Sequence, residues 1–228
     1  MKATAIVYSP RYLDHNPGPS HPESPHRLRI MIEGMRQNAL LDSQNCSLLE
    51  PQYASLEYLE LVHRSEYIYS VKRISEMGGG PLSEETMVSR ESFEVARLAA
   101  GGAKEAVDKV MAGEFRNAFA LVRPPGHHAG HDYALGFCIF NNVASAAAHL
   151  LKDFGLSRVL ILDIDAHHGN GTQETFYNTD KVLYVSLHED PTEFPGTGFL
   201  DETGEDEGLG YNVNIPLPFG TGDPPYWR

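Results

Sequence analysis

Arg158-Val159-Leu160-Ile161-Leu162-Asp163-Ile164-Asp165-Ala166-His167-His168-Gly169-Asn170-Gly171 is an aliphatic run that ends in two carboxylates and two imidazoles. A continuous aliphatic segment of this kind suits a strand covered on both faces, as in a parallel sheet. The strand is predicted over residues 158–165. Asp163, Asp165 and His167 share one parity, so in an extended chain they point to the same side. Carboxylate oxygen beside imidazole nitrogen suits a borderline cation such as zinc. Acids adjoining histidines at the end of a buried strand are costly unless paired or metal-bound.

On either side of this run, apolar segments and helical patterns alternate. Residues 3–8, 119–122 and 181–187 read as further strands, and residues 25–41 as a helix opened by a proline. The clearest helix spans residues 92–112. Phe93, Ala96, Ala100, Ala103, Val107 and Val110 recur there at spacings of three and four, and Ser92 is a candidate N-cap. Residues 141–154 are again helical, with Gly155 as the stop. Strand–helix alternation implies an α/β protein, a three-layer α/β/α fold with a mainly parallel sheet. Such sheets bind ligands beyond the carboxyl ends of their strands. No repeat or low-complexity linker divides the 228 residues, which read as one domain.

The formal net charge is −13, from 18 Lys and Arg against 31 Asp and Glu. This argues against direct nucleic-acid binding, which needs a basic face to displace counterions. It suits a cationic ligand such as a polyamine or a lysine-bearing peptide. No segment approaches the ~20 apolar residues of a membrane span. The first residues are too short an apolar run for a secretory signal, so a cytoplasmic protein is expected. Cys46 and Cys138 give neither a disulfide framework nor a cysteine zinc site.

Three further motifs carry chemistry. Arg123-Pro124-Pro125-Gly126-His127-His128-Ala129-Gly130-His131 presents adjacent histidines from a stiff loop that follows a strand. Histidine is the side chain best suited to move protons near neutral pH. Gly136-Phe137-Cys138-Ile139-Phe140-Asn141-Asn142 places an aromatic after a glycine and before a helix. Ser186-Leu187-His188 closes a strand and is followed by Glu193-Phe194-Pro195-Gly196-Thr197-Gly198.

Taken in order, these motifs resemble those of zinc-dependent histone deacetylases and acetylpolyamine amidohydrolases, and His21 to Leu28 resembles the opening segment of the class II-type members. The resemblance implies an arginase/deacetylase-like fold and hydrolysis of the amide of an acylated amine, such as acetyl-lysine or acetylpolyamine. It makes Asp165 and His167 zinc ligands and His127 and His128 the tandem catalytic histidines. Asp163 would orient His127, and Asn170 would sit behind His128 where many relatives have aspartate. Asparagine carries no charge, so it stabilises an imidazolium less. The Gly136 carbonyl would accept from the substrate amide. Phe137 and Phe194 would wall a channel for a linear side chain. Arg27 would line an inner acetate-release cavity, and Glu85 would grip the substrate backbone. Structural monovalent cations such as K+ are also implied. One site would use Asp163 and Ser186 with main-chain oxygens of Asp165, His167 and Leu187. A second would use main-chain oxygens of Phe176, Thr179, Val182 and Tyr211.

The sequence departs from the family pattern in one respect of consequence. Relatives supply a third zinc ligand, an aspartate, and an oxyanion-stabilising tyrosine from later motifs, and Asp223 and Tyr226 stand outside such motifs. The expectation is therefore a domain with its C-terminal part missing. Its shortened sheet would favour association into oligomers or aggregates. It would be catalytically incompetent alone or would act as an acyl-lysine-binding module. An arginase-type ureohydrolase is the more distant alternative. It wants an Asp-x-His-x-Asp run, and here Gly169 stands two residues after His167.

Overall fold

A computed structural model describes residues 2–41, 43 and 45–226. In chain order the elements are β1 (Lys2–Val7), α1 (Pro25–Gln37), β2 (Cys46–Leu49), α2 (Leu56–Leu59), α3 (Ser65–Glu76), β3 (Gly79–Pro81), β4 (Met87–Ser89), α4 (Ser92–Met111), β5 (Phe115–Ala120), α5 (Asn142–Lys152), β6 (Val159–Asp163), α6 (Asn170–Phe176), β7 (Val182–Glu189), β8 (Asn212–Leu217) and α7 (Asp223–Tyr226). β1 runs parallel between β2 and β5, and β7 runs parallel between β6 and β8. β3 and β4 form a small antiparallel pair. Parallel neighbours need long crossovers, which the helices supply except between β7 and β8, where residues 190–211 cross with a single short 3-10 turn. The result is the three-layer α/β/α arrangement expected from the alternation.

α4 is buried along two faces, which accounts for its small residues. Val95, Leu98 and Ala99 pack with Tyr8, Tyr12, Leu28 and Ile32. Phe93, Ala96 and Ala100 pack with Leu59, Ile68, Val71, Ile139 and Phe140. A third cluster joins Ala144 and Ala147 of α5 to Ile161, Phe176, Val182 and Tyr184. That cluster packs against the first half of β6 and of β7, and the carboxyl ends of both strands project beyond it.

Several element boundaries differ from the sequence reading. α1 ends at Gln37 rather than at residue 41. The Asn38 amide side chain donates to the Gly34 carbonyl at 2.8 Å, and Ala39 turns to φ +54°. Asparagine bonding back to a helical carbonyl competes with continuing the helix. Ser92 is not the N-cap of α4, a position taken by Glu91. Its hydroxyl instead accepts from the Ser89 amide at 2.7 Å and lies 2.6 Å from His15 Nδ1. β5 begins four residues before the predicted strand, and Phe115 at its start is buried although the residues around it are polar. Asn141 caps α5, its Oδ1 accepting from the Ala144 amide at 3.1 Å.

The expectation that the 158–165 strand is covered on both faces fails on one of them. Ile161 is buried, whereas Leu160 is 62% and Leu162 58% exposed. Among the described residues β6 pairs only with β7, and α5 and Phe176 of α6 pack on the face carrying Val159 and Ile161. The alternate face is left to solvent.

Candidate active site

The predicted residues gather at the carboxyl ends of β6 and β7. One cleft of about 600 Å³ is lined by His127, His128, Asp165 and His167 together with Gly136, Phe137, Phe194, Glu85 and Arg27. Asp163 and Asn170 stand behind it, one under each histidine of the pair.

Strand parity is not what aims Asp165 and His167. β6 stops at Asp163, and side-chain-to-backbone hydrogen bonds shape the next residues. Asp163 Oδ1 accepts from the Asp165 amide at 3.1 Å, and Asp165 Oδ2 accepts from the His167 amide at 2.9 Å. Each carboxylate thus turns the chain two residues on, in the manner of an Asx turn. Asp163 is held inward while Asp165 and His167 face the cleft, each half exposed.

Asp165 Oδ2 and His167 Nδ1 lie 3.5 Å apart. Two ligands at ~2.0–2.1 Å in a tetrahedron are about 3.4 Å apart. Donor chemistry and spacing therefore fit two ligands of a zinc ion. Among the described residues no group of three His, Cys, Asp or Glu side chains converges on one point, so a third ligand is not assigned.

The histidine pair is backed asymmetrically. The His127 and His128 rings lie 4.0 Å apart, centre to centre. His127 Nδ1 donates to Asp163 Oδ2 at 2.9 Å, and the same oxygen accepts from the Tyr184 hydroxyl at 3.0 Å. His128 Nδ1 donates to Asn170 Oδ1 at 2.8 Å. Burial pulls the His127 pKa down, but the hydrogen bond and charge of Asp163, helped by the charge of Asp165, carry it above the ordinary value. Burial and the charge of His127 push His128 down to about 4, and the neutral amide behind it offsets little. Burial likewise opposes ionisation of Asp163, yet bonds from His127, the Asp165 amide and Tyr184 hold its pKa below the usual value.

The aromatic walls are anchored by polar groups. Phe194 meets His128 and His167 edge to face, at ring distances of 5.0 and 5.4 Å. Phe137 adopts φ +66°, a left-handed conformation uncommon for a bulky residue. Its amide donates to Thr86 Oγ1 at 3.1 Å, and the Gly136 amide donates to Glu85 Oε1 at 3.0 Å. Glu85 thus lines the cleft while holding the turn that presents Phe137.

The residues implied for monovalent cations fall into two places. The Ser186 hydroxyl donates to His188 Nδ1 at 2.8 Å, beside Leu187 in β7 and next to Asp163 across the ladder. Phe176, Thr179, Val182 and Tyr211 lie around the start of β7. There the Thr179 amide donates to the Phe176 carbonyl, and the Tyr184 amide to that of Tyr211.

Three site residues escaped the sequence reading. His21 packs edge-on to Phe137 at 4.7 Å and donates from Nε2 to the Glu85 carbonyl at 3.0 Å. Thr86 and Tyr184 are the others. Tyr184 is a lone polar aromatic on the inward parity of an aliphatic strand, and that was its available signal.

A tandem histidine pair, one ring backed by a carboxylate and the other by an amide, beside a carboxylate and an imidazole at the carboxyl ends of parallel strands, defines an α/β protein with a histidine-lined polar cleft. The chain belongs to the histone deacetylase domain family, whose model matches residues 21–228. It is 47% identical over 223 residues to a probable deacetylase of Archaeoglobus fulgidus, covering 98% of this chain and 61% of that protein. It is 43% identical to a histone deacetylase-like amidohydrolase of Pseudomonas aeruginosa, covering 91% of this chain and 53% of that one. The crystal structure of the HDA15 HD domain matches with a TM-score of 0.90 at 38% identity, covering 97% of this chain and 63% of that one. The chain thus spans 53–61% of the length of these two relatives.

Proposed function

We propose that the chain carries the catalytic histidines and two metal ligands of a zinc-dependent deacetylase. The substrate class is an acylated amine of the acetyl-lysine or acetylpolyamine type, in a cytoplasmic setting. The observation that carries this reading is the pair of backed histidines, His127 on Asp163 and His128 on Asn170, opening into the cleft faced by Asp165 and His167.

Asp165 Oδ2 and His167 Nδ1 would hold the zinc, which when bound supplies Lewis-acid polarisation of an acyl carbonyl. His128, kept neutral by burial, presents a free Nε2 and takes a proton from the attacking water. His127, whose affinity for a proton is raised by the bond and charge of Asp163 against the effect of burial, is the member of the pair suited to carry a proton toward the leaving amine. Phe137 and Phe194 exclude water and orient a linear acyl-amine chain. Glu189, Asp190 and Glu193 line a second cleft on the other side of His167, which suits a cationic product. K+ at the Asp163–Ser186 and Phe176–Tyr211 positions belongs to the same reading.

The test is hydrolysis of a fluorogenic acetyl-lysine peptide and an acetylpolyamine by the zinc-supplemented chain. His127→Ala and His128→Ala should each cut turnover about 10²-fold or more. Near-normal turnover in both would remove the pair from the chemistry. That no third metal ligand converges with Asp165 and His167 among the described residues favours a second reading, an acyl-lysine-binding module. Saturable peptide binding without turnover, at one zinc per chain, would select it.

Gly136→Ala probes the same geometry. Gly136 sits at φ +53°, and a Cβ there would overlap the His128 ring. The left-handed conformation alone costs an L-residue about 1–2 kcal/mol. Displacing the ring by about 1 Å is expected to cost ~10² in turnover. A urea midpoint measured beside the turnover separates the two effects, and unchanged turnover would show that His128 tolerates the move.

A further inference from the structure

The geometry points to Tyr133 and Glu174 as positioning residues that fix the tautomer of His128 through Asn170. This rests on the reading of His128 as the proton acceptor. A directed chain of three hydrogen bonds connects the four side chains. His128 Nδ1 lies 2.8 Å from Asn170 Oδ1, Asn170 Nδ2 donates to the Tyr133 hydroxyl oxygen at 3.0 Å, and the Tyr133 hydroxyl donates to Glu174 Oε2 at 2.6 Å.

The direction of the chain is set from its far end. A side-chain amide offers an acceptor and a donor of nearly the same shape, so Asn170 alone accepts either ring tautomer of His128. Glu174 removes the ambiguity. An ionised carboxylate can only accept, so the Tyr133 proton must point to it. The Tyr133 oxygen is left as an acceptor, and only Nδ2 of Asn170 can satisfy it. Oδ1 then faces His128, which is compatible only with a proton on Nδ1. The Nε2 lone pair is thereby directed into the cleft. A flipped amide would present a donor to His128, draw the Tyr133 proton away from Glu174 and leave that carboxylate without it.

Local packing is built for this contact. A Cβ at Gly130 would overlap the Tyr133 ring and crowd Glu174 Oε2, so the glycine of the His127–Gly130 run admits the pair. The Gly130 amide donates to the Tyr133 carbonyl at 3.1 Å, which closes the turn. Burial and the bond to Glu174 both raise the Tyr133 pKa, so its proton stays in place for this role. The second proton of Asn170 Nδ2 has only the His128 carbonyl, at 3.5 Å, the limit of a hydrogen bond.

The arrangement divides the histidine pair by chemistry. His127 touches a carboxylate and gains both a fixed tautomer and a raised affinity for protons. His128 is connected to a carboxylate only through two neutral groups. It gains the fixed tautomer and stays a neutral base.

The test uses the full chain with ¹⁵N-labelled histidine and reads the His128 ring nitrogens by NMR at neutral pH, beside acetyl-lysine peptide turnover. The native chain should show a single Nδ1–H tautomer. Glu174→Gln, an exposed near-isosteric change, and Tyr133→Phe should each introduce the Nε2–H form. Each should lower kcat about 10-fold or more with little change in KM, as for loss of an outer partner of a catalytic imidazole. An Nε2–H tautomer in the native chain overturns the inference. So does an unchanged Nδ1–H signal in both variants, whatever their activity, because the His128 carbonyl would then orient Asn170 unaided. Tautomer loss with turnover intact upholds the positioning and removes His128 from the reaction instead.

Discussion

Between pH 7 and pH 5 the chain is expected to lose about 3–4 kcal/mol of unfolding free energy through His15 and His63 alone. Both rings are buried, at 1% and 2% exposure. Burial, with the charges of Arg123 and His21, pushes His15 down to about 3. Its Nδ1 lies 2.6 Å from the Ser92 hydroxyl, and its Nε2 lies 3.5 Å from Glu23 Oε2. That carboxylate would raise the pKa if it were free, but both its oxygens are bound by Arg123, and burial prevails. Burial pushes His63 down to about 4, opposed by its bond to the Gly130 carbonyl and aided by His131. His63 Nε2 must stay unprotonated to accept the Asn141 amide at 2.8 Å. In the unfolded chain both groups titrate near 6.5, so the unfolded state binds more protons across this window. Stability therefore rises with pH from 5 to 7 and falls as acid is added. His127 works in the opposite sense, since its raised pKa contributes stability at low pH that is lost as pH rises through the folded value. Urea midpoints at several pH values check this, and His63→Gln should flatten the slope. A midpoint constant over the range would refute the neutral burial of both rings.

The parts of this molecule legible in the sequence are those where one residue type has one plausible physical use. The aliphatic run into Asp163 reads as a strand end, and the adjacent histidines after a rigid loop, an ordinary surface feature when taken alone, gain a use only beside the Asp163–His168 run. The helical stretch at residues 141–154 and its stop at Gly155 are legible in the same way, the glycine turning at φ +66°, whereas the structure makes Asn141 the cap of α5 rather than its first residue. What stayed hidden depends on non-local partners. β2 and β8 are short and mixed in polarity, and their partners β1 and β7 make them strands. Asp165 and His167 were placed in one cleft by parity, yet two side-chain turns put them there. The open face carrying Leu160 and Leu162 reads as core in the sequence, because hydrophobicity alone does not say what lies opposite. The Tyr133–Glu174 pair gave no signal because a tyrosine and an exposed glutamate are ordinary until Asn170 lies between them and a histidine.

Arg123→Ala is expected to destabilise the chain by about 3–5 kcal/mol. Arg123 is 3% exposed and Glu23 2%, and the guanidinium grips both carboxylate oxygens, Nε to Oε1 at 2.6 Å and Nη2 to Oε2 at 2.8 Å. Nη1 also donates to the carbonyls of Tyr12 and His15, at 2.8 and 2.7 Å. Removing the arginine leaves a buried carboxylate with only the His15 ring, at 3.5 Å, beside it, and takes the Arg123 donor from two carbonyls. Each such loss is worth far more than the net strength of the bonds that were made. Lysine should not rescue the site, because one ammonium cannot span both carboxylate oxygens and both carbonyls. A buried ion pair exchanged whole for apolar residues is often neutral, so Arg123→Met with Glu23→Leu should recover part of the loss. Recovery should be incomplete, since the Tyr12 and His15 carbonyls still lack the Arg123 donor. The pair also fastens the segment carrying Pro22, Glu23 and Arg27 to the loop carrying His127 and His128, and all five residues line the cleft. Single variants should therefore disturb the site before they unfold the chain. Urea unfolding of the three variants decides the matter. A loss below about 1 kcal/mol for Arg123→Ala would mean that water reaches Glu23 and that the pair is not what joins the two segments.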